Sequence, residues 1–439
     1  MALARRTGKN FGLPNNVAAE VQPEANLQTI STIASCMPWA KNRSCILGGM
    51  EARALRAGPP APTTPLRRFF AACIVCACFC FVACLYVVTL TPRNAVNRDS
   101  IEFWVAGRQL IHHANPYDLA AILRIERGLG LERSTPRVSY SPPTGLSLML
   151  PLGLLSAKSA LVVWLMAQLS ALALSCWLLW RLFGRPDSMV HLLVFAFGPC
   201  LVCLMSGQLG NFFLLCLALF LVLHRSWPLV AGAVLFPFAM KPHLVAPLAV
   251  VLLLWVVDRR AWRLAGGCAG ALAASCAIPL WFDPRVWEDY RRMMAVSGVL
   301  GAWVPSLSCA ARFAIAPHAV WVEFVPEVCA CAWALWYFLT QRDRWDWRTH
   351  GMVVLLAGAL CAPYGWIYDE AILFPAVLAG VYAVQERRRS LIPIGVCAAA
   401  CLAEVICGVQ INTPYYLWTT PAWLGCYMYA TRPATSEAG

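Results

Sequence analysis

The chain has 439 residues, of which 60% are hydrophobic and only 13% charged, with a formal net charge of +13. Soluble domains carry about 25% charged residues, so this composition, with a mean hydropathy of +0.61, sets aside a soluble globular protein and names a bilayer as the solvent. The continuous apolar runs argue against a membrane β-barrel, and the basic excess reads as cytoplasmic loop charge rather than as a nucleic-acid footprint, so no nucleic-acid partner is expected.

Residues 1–66 are polar and rich in Ala, Pro and Arg, with a linker-like stretch RAGPPAPTTPLRR. They are expected to form a disordered cytoplasmic segment, with Met50 as an alternative start. The transmembrane body is expected over 67–430 and a cytoplasmic tail over 431–439. Apolar segments at 69–91, 157–180, 189–205, 209–224, 228–240, 244–257, 264–281, 318–339, 351–363, 371–385, 391–408 and 414–430 predict an all-α polytopic protein of about twelve transmembrane helices. Several fall short of the roughly 20 residues that a straight crossing needs. The pairs 228–240/244–257 and 351–363/371–385 are therefore expected to be short or broken.

The first segment carries Cys73, Cys76, Cys78, Cys80 and Cys84. With no histidine or carboxylate in that run, these read as small hydrophobes and not as metal ligands. Of 21 cysteines only Cys309 stands out in an expected outside loop, so no disulfide framework is implied. The small-residue run GGCAG at 266–270 is expected to serve helix contacts inside the protein.

Placing the N-terminus in the cytoplasm puts Arg181, Arg185, Arg225, Arg259, Arg260, Arg263, Arg342, Arg344, Arg348, Arg387, Arg388 and Arg389 in short inside loops. The C-terminus then returns to the cytoplasm. The unusual polar motifs all fall on the opposite, extracytoplasmic face. In the first outside loop, 92–156, two amphipathic runs at 101–113 and 118–129 flank NPYD and predict two interfacial helices, with Asn115 or Asp118 as a cap. Asp99 stands at the start of the first, where a helix N-terminus favours a carboxylate; taken alone it reads as a cap. RVSYSPPTG, 137–145, fixes an extended re-entry, and 144–155 is too short to cross and is placed as a dipping piece.

Further along, SGQLGN, 206–211, is a polar turn that offers Gln208 and Asn211. FAMKPHLVAP, 238–247, sets Lys241 and His243 between apolar half-helices. CAPYGWIYDEAILFP, 361–375, brings Tyr364, Tyr368, Asp369 and Glu370. Each has an ordinary reading as turn, cap or snorkelling lysine. An ionisable residue at membrane depth is nonetheless a functional signal.

Taken in order, RDSIEFWVAGRQL…ANPYD, YSPPTGLSLMLPL, SGQLGN, MKPH and PYGWIYDEAILFP resemble glycosyltransferase family 87, the polyprenyl-phosphate-mannose-type mannosyltransferases of bacteria, over roughly residues 70–385. The resemblance implies the GT-C fold and a bacterial inner membrane location. It also implies transfer of a hexose, mannose in the family, from a polyprenyl-phosphate donor to a hydroxyl of a lipid or glycan acceptor on the extracytoplasmic face. The family's catalytic aspartate falls on Asp99, and its late YD motif on Tyr368 and Asp369. Where the family pattern has Ser and His ahead of that motif, this chain reads APYGW.

The chemistry assigns further candidates. A carboxylate at Asp99 suits a general base for the acceptor hydroxyl. Lys241, His243, Arg98 and Arg137 are candidates for the departing phosphate, and Tyr140, Gln208, Tyr368 and Asp369 for the sugar and acceptor. A single base suggests inversion; a covalent intermediate on Asp369 would give retention. The chain has no P-loop and no GxGxxG after a strand, which favours a lipid-linked over a nucleotide donor. No cofactor or divalent ion is expected. The rival reading is a secondary transporter with a midplane site at the MKPH and YDE breaks.

Overall fold

The computed structural model describes residues 98–132, 134–186 and 188–432. The first apolar segment, the N-terminal 1–66 with Met50, and nearly all of the C-terminal tail lie outside them. The described residues are helical, with no strand among them. In chain order the α-helices are α1 (Ser100–Ile111), α2 (Leu119–Gly128), α3 (Leu146–Gly153), α4 (Ala157–Leu182), α5 (Gly198–Ser206), α6 (Gly210–Leu223), α7 (Pro228–Ala233) and α8 (Ala246–Arg259). They continue with α9 (Trp262–Phe282), α10 (Val286–Ser297), α11 (Leu307–Ile315), α12 (Val325–Gln341), α13 (His350–Cys361), α14 (Phe374–Glu386), α15 (Ile392–Ile406) and α16 (Thr419–Thr431).

Among the described residues, four helical runs are long and apolar enough to cross a membrane: Ala157–Leu182, Trp262–Phe282, Val320–Arg344 and Ile367–Glu386. Shorter apolar helices occupy Gly210–Leu223, Pro228–Met240, His350–Cys361 and Ile392–Ile406. The apolar segments read from the sequence after 156 thus resolve into helices long enough to cross and shorter or broken pieces. Proline sets many of the breaks. Pro199, Pro326 and Pro375 lie in the first turns of α5, α12 and α14, each preceded by a 3-10 turn. Proline has no N–H to lose in a first turn, and its ring would clash one turn deeper. Pro237 and Pro242 likewise confine the chain between α7 and α8 to two 3-10 turns, Phe236–Met240 and Pro242–Leu244. Large apolar side chains remain exposed, Trp281 at 82% and Leu253 at 68% among them, as a lipid-facing surface requires.

The two helices expected in the first loop form close to their expected bounds. Asp118 caps α2, its Oδ1 accepting from the N–H groups of Ala120 and Ala121 at 2.9 and 3.1 Å. α1 differs from a helix lying on a leaflet. Ile101, Phe103–Gly107 and Leu110 are buried around most of its circumference. Its partner is α3, the dipping piece, an eight-residue helix of about 12 Å that cannot cross a bilayer. Their backbones touch: a Cβ on Gly107 would lie 2.1 Å from the Met149 carbonyl oxygen, and one on Gly153 would lie 2.4 Å from Gly107. A side chain at either position would force the helices apart. In GGCAG only Gly267 makes such a contact, against Leu229 of α7; Gly266 and Gly270 face open space. Two helices went unread in the connection 282–317: α10, acidic in its first turn, and the short α11.

A candidate active-site cavity

The segments that carry the five polar motifs converge, together with α10, on one cavity of about 690 Å³, within the range of roughly 300–1,000 Å³ typical of ligand sites. Its wall is built by Asp99 and Glu102 from α1, Arg137 and Tyr140 from the stretch before α3, and Gln208 from the α5–α6 turn. Lys241 and His243 come from the 3-10 turns, Trp287 and Tyr290 from α10, and Tyr364, Trp366 and Tyr368 from the segment before α14.

Asp99 holds the N-cap position of α1, yet its side chain caps no N–H of that helix. The carboxylate turns into the cavity instead. Oδ1 accepts from Arg137 Nη1 at 3.0 Å, and Oδ2 accepts from Gln208 Nε2 at 3.1 Å. Its backbone is fixed as well, since the Asp99 N–H donates to the Ser206 carbonyl at 2.9 Å. Gly207 makes this junction possible. It ends α5 in the left-handed conformation, φ +80°, the usual helix stop, and a Cβ there would strike Ser100. Trp164 Nε1 closes the corner by donating to the Gly207 carbonyl at 2.7 Å.

Arg137 is supplied by a stretch that is itself anchored. The carboxylate of buried Glu126 accepts from the Arg137 backbone N–H at 3.1 and 3.2 Å, and Tyr117 Oη donates to the Ser141 carbonyl at 2.9 Å. Tyr290 Oη donates to the Tyr140 carbonyl at 3.2 Å and ties α10 to the same stretch.

On the other wall Lys241 Nζ meets Asp369 Oδ1 at 2.7 Å and lies 4.9 Å from the ring centre of Tyr368 and 5.7 Å from that of Trp366. Asp369 Oδ2 accepts from the Trp366 N–H at 3.2 Å. The ammonium faces the cavity, while Asp369, almost fully buried, lies behind it and is not among the lining residues. His243 packs its ring 3.7 Å from that of Tyr364. Burial, reinforced by the Lys241 charge, lowers its pKa to about 3, so His243 is a neutral imidazole near neutral pH and not a second cation.

Of the residues singled out from the sequence, Asp99, Arg137, Tyr140, Gln208, Lys241, His243 and Tyr368 meet in this cavity. Others stand elsewhere, Glu370 among them, which accepts from the Thr419 and Thr420 hydroxyls. Asp369 backs Lys241, as described, and Arg98 is buried with its Nη1 donating to the Met205 carbonyl at 2.7 Å in the last turn of α5. Asn211 also faces away, its amide donating to Gln168 Oε1 at 2.9 Å and to the Cys200 carbonyl at 3.2 Å.

Sequence reading missed Glu102, Glu323 and the aromatic wall of α10. Glu102 was legible: it follows Asp99 by three residues, which puts both carboxylates on one helix face. Trp287, Tyr290 and Met294 follow the same helical spacing, but in a connection whose helix was not recognised. No group of three or more His, Cys, Asp or Glu side chains arranged for a metal ion occurs among the described residues.

A family model, glycosyltransferase family 87, matches residues 140–363. That match contains Tyr140, Gln208, Lys241 and His243, and leaves Asp99 before it and Tyr368 after it. No curated protein and no solved structure matches the chain.

Proposed function

The chain belongs to glycosyltransferase family 87 and is a membrane glycosyltransferase, and from that premise we propose that it moves a hexose, mannose by family resemblance, from a polyprenyl-phosphate-linked donor to a hydroxyl of a lipid or glycan acceptor, on the extracytoplasmic face of a bacterial inner membrane, with Asp99 as general base. The observation that carries this reading is the Asp99 carboxylate, which sits where a cap would sit and points into the cavity instead, each oxygen held by a different neighbour. A carboxylate oxygen has lone pairs beyond the one so engaged. Asp99 therefore remains able to accept a proton while being held in one orientation.

In the proposed step the acceptor O–H gives its proton to Asp99 as its oxygen bonds to the anomeric carbon. The anomeric carbon–oxygen bond to phosphate breaks, and the electron pair leaves on the phosphate. Lys241 supplies positive charge to that leaving group. Arg137, on Asp99, is close enough to the base to orient it. His243 can offer a neutral N–H only. The rings of Trp287, Tyr290, Tyr364 and Tyr368 give the flat apolar surface on which sugar rings rest, and Gln208 an amide for their hydroxyls. Asp369 is sealed behind Lys241, which supports a single inverting displacement over a covalent intermediate there. α3 leaves Leu148 and Leu154 exposed, a surface suited to a polyprenyl tail.

The test is transfer from a radiolabelled polyprenyl-phosphate hexose by purified protein in nanodiscs. Asp99→Asn keeps the shape and both neighbours but removes the base. Turnover is expected to fall by about 10²–10⁴-fold, with the donor still bound. Undiminished turnover would remove Asp99 from this role. Uptake of substrate into proteoliposomes without a glycosyl product would instead favour the transporter reading, which no comparison supports.

A further inference from the structure

The step above uses Asp99 and Lys241 and leaves a second carboxyl in the cavity without a task. Glu102 lies one turn from Asp99 on α1, on the same wall, beside Gln208, which donates to Asp99. The cations nearby are already engaged at short range, Arg137 with Asp99 at 3.0 Å and Lys241 with Asp369 at 2.7 Å. Among the described residues no ion pair includes Glu102. Beside the self-balanced Arg312–Glu323 pair, the cavity with Glu102 ionised would set three carboxylates, Asp99, Glu102 and Asp369, against two cations, Arg137 and Lys241. With Glu102 protonated it balances, and a phosphodiester entering the cavity meets no excess of negative charge.

Burial and the Asp99 charge raise the pKa of Glu102 well above that of an ordinary glutamate, and Lys241 and Arg137 offset this only in part. Glu102 and Lys241 line the same cavity, so the carboxyl shares the space that the ammonium faces. The ionisable groups that line the same cavity are Asp99 on its own helix, Arg137 and Tyr140 before α3, Lys241 and His243 from the 3-10 turns, Tyr290 on α10, Glu323, and Tyr364 and Tyr368 before α14, with Asp369 behind Lys241. An arriving anion adds to the negative field and favours the protonated form further.

We propose that Glu102 binds the donor as a neutral carboxylic acid, its O–H donated to a non-bridging oxygen of the donor phosphate. This rests on the lipid-phosphate donor reading above. Lys241 then provides charge and Glu102 a directed hydrogen bond. The proton comes from solvent and stays on Glu102, so no bond of the substrate is made or broken by this contact. A protonated carboxyl is also a poor nucleophile, so the second carboxyl near the reacting carbon does not open a retaining route.

The experiment is calorimetric titration of the purified protein with a short-chain polyprenyl-phosphate hexose, from about pH 6 to pH 9.5, in two buffers of different ionisation enthalpy. Above the pKa of Glu102 the free enzyme must regain a proton to bind. Wild-type affinity is therefore expected to fall toward tenfold per pH unit on the alkaline side, with proton uptake from the buffer. Glu102→Gln, a neutral donor of the same shape, is expected to bind within about threefold of wild type at pH 6 with neither effect, and Glu102→Ala to bind at least tenfold more weakly at that pH. An alkaline fall that persists in Glu102→Gln, wild-type affinity that stays flat to pH 9.5, or Glu102→Ala binding as tightly as Glu102→Gln overturns the role of Glu102 while leaving the donor reading intact. Absence of binding by wild type at every pH overturns the donor reading and this inference with it.

Discussion

Three ion pairs border the cavity, and two of them are built in opposite senses. In Arg137–Asp99 both partners are partly exposed, at 17% and 27%, and the carboxylate is the group presented to the cavity. In Lys241–Asp369 the carboxylate is 3% exposed and lies behind, and the ammonium is presented. A third pair, Arg312–Glu323, has its arginine fully buried; Arg312 Nη2 also donates to the Gly301 and Ala302 carbonyls at 3.1 and 3.3 Å. Two pairs of the same chemistry thus offer opposite charges to the same space, because burial decides which member faces inward. That polarity, an anion on one wall and a cation on the other, is what a displacement from phosphate to hydroxyl asks of a site. It also divides the consequences of mutation. The deep pair should be coupled to folding, and the shallow pair mainly to function.

The largest effect should come from splitting the deep pair. Lys241→Met leaves the Asp369 carboxylate buried and without its cation, which costs about 3–5 kcal/mol for a pair of this kind. The expected outcome is a lower yield of folded protein and a lower unfolding temperature, along with loss of transfer. Pairing it with Asp369→Asn should recover most of the stability and none of the transfer. If the double variant remains as unstable as the single one, the two residues are not coupled as the geometry implies. The corresponding double change on the shallow pair, Arg137→Met with Asp99→Asn, should leave stability within about 1 kcal/mol of wild type, so the two experiments together measure the contrast.

This contrast was only half legible in the sequence. Apolar length and arginine placement set out the helical class and gathered the polar motifs on one side. Those motifs do meet, and Asp99, Gln208, Lys241 and Tyr368 line one cavity. The helix start predicted for Asp99 is present, but the side chain does not cap it. A helix N-terminus attracts any carboxylate equally, and only the approach of Gln208, 109 residues away, shows where the oxygens go. The orientation of Asp369 was hidden for a related reason. Adjacent Tyr, Asp and Glu residues in a 3-10 turn point in different directions, and which one reaches the cavity depends on Lys241, 128 residues distant. Arg98 next to Asp99 looked like a phosphate ligand by proximity in the chain, yet it reaches the Met205 carbonyl at the end of α5. Helix α10 escaped notice because its polar first turn and amphipathic course resemble a loop beside the long apolar runs around it.

A smaller effect should follow from loosening the shallow pair without removing its charges. Gln208→Leu deletes the hydrogen bond to Asp99 Oδ2 and leaves Arg137 in place. A hydrogen bond to a charged group is worth about 1.5–3 kcal/mol, so kcat should fall roughly 10–100-fold. Donor binding at pH 6 should change less, since Lys241 is untouched. A fall confined to donor affinity with kcat unchanged would move Gln208 from orienting the base to holding the sugar.

The smallest effect tests how far the aromatic wall depends on either pair. α10 is tied to the stretch carrying Arg137 by the hydrogen bond from Tyr290 Oη to the Tyr140 carbonyl at 3.2 Å. The rings of Tyr117 and Tyr290 also lie against each other, 5.3 Å between centres. Tyr290→Phe keeps the ring and deletes the hydrogen bond, a loss of about 0.5–1.5 kcal/mol for a neutral donor and acceptor. If α10 serves as a sugar platform whose position hangs on that bond, KM for the sugar-bearing substrate should rise about 2–10-fold while kcat stays near wild type. Such a variant keeps Asp99, Arg137 and Lys241 where they are, so its pH profile should match wild type. A fall in kcat instead, with KM unchanged, would mean that α10 positions Arg137 through Tyr140 and belongs with the shallow pair. Indifference in both constants would leave ring stacking on Tyr117, rather than the hydrogen bond, as what holds α10 over the cavity.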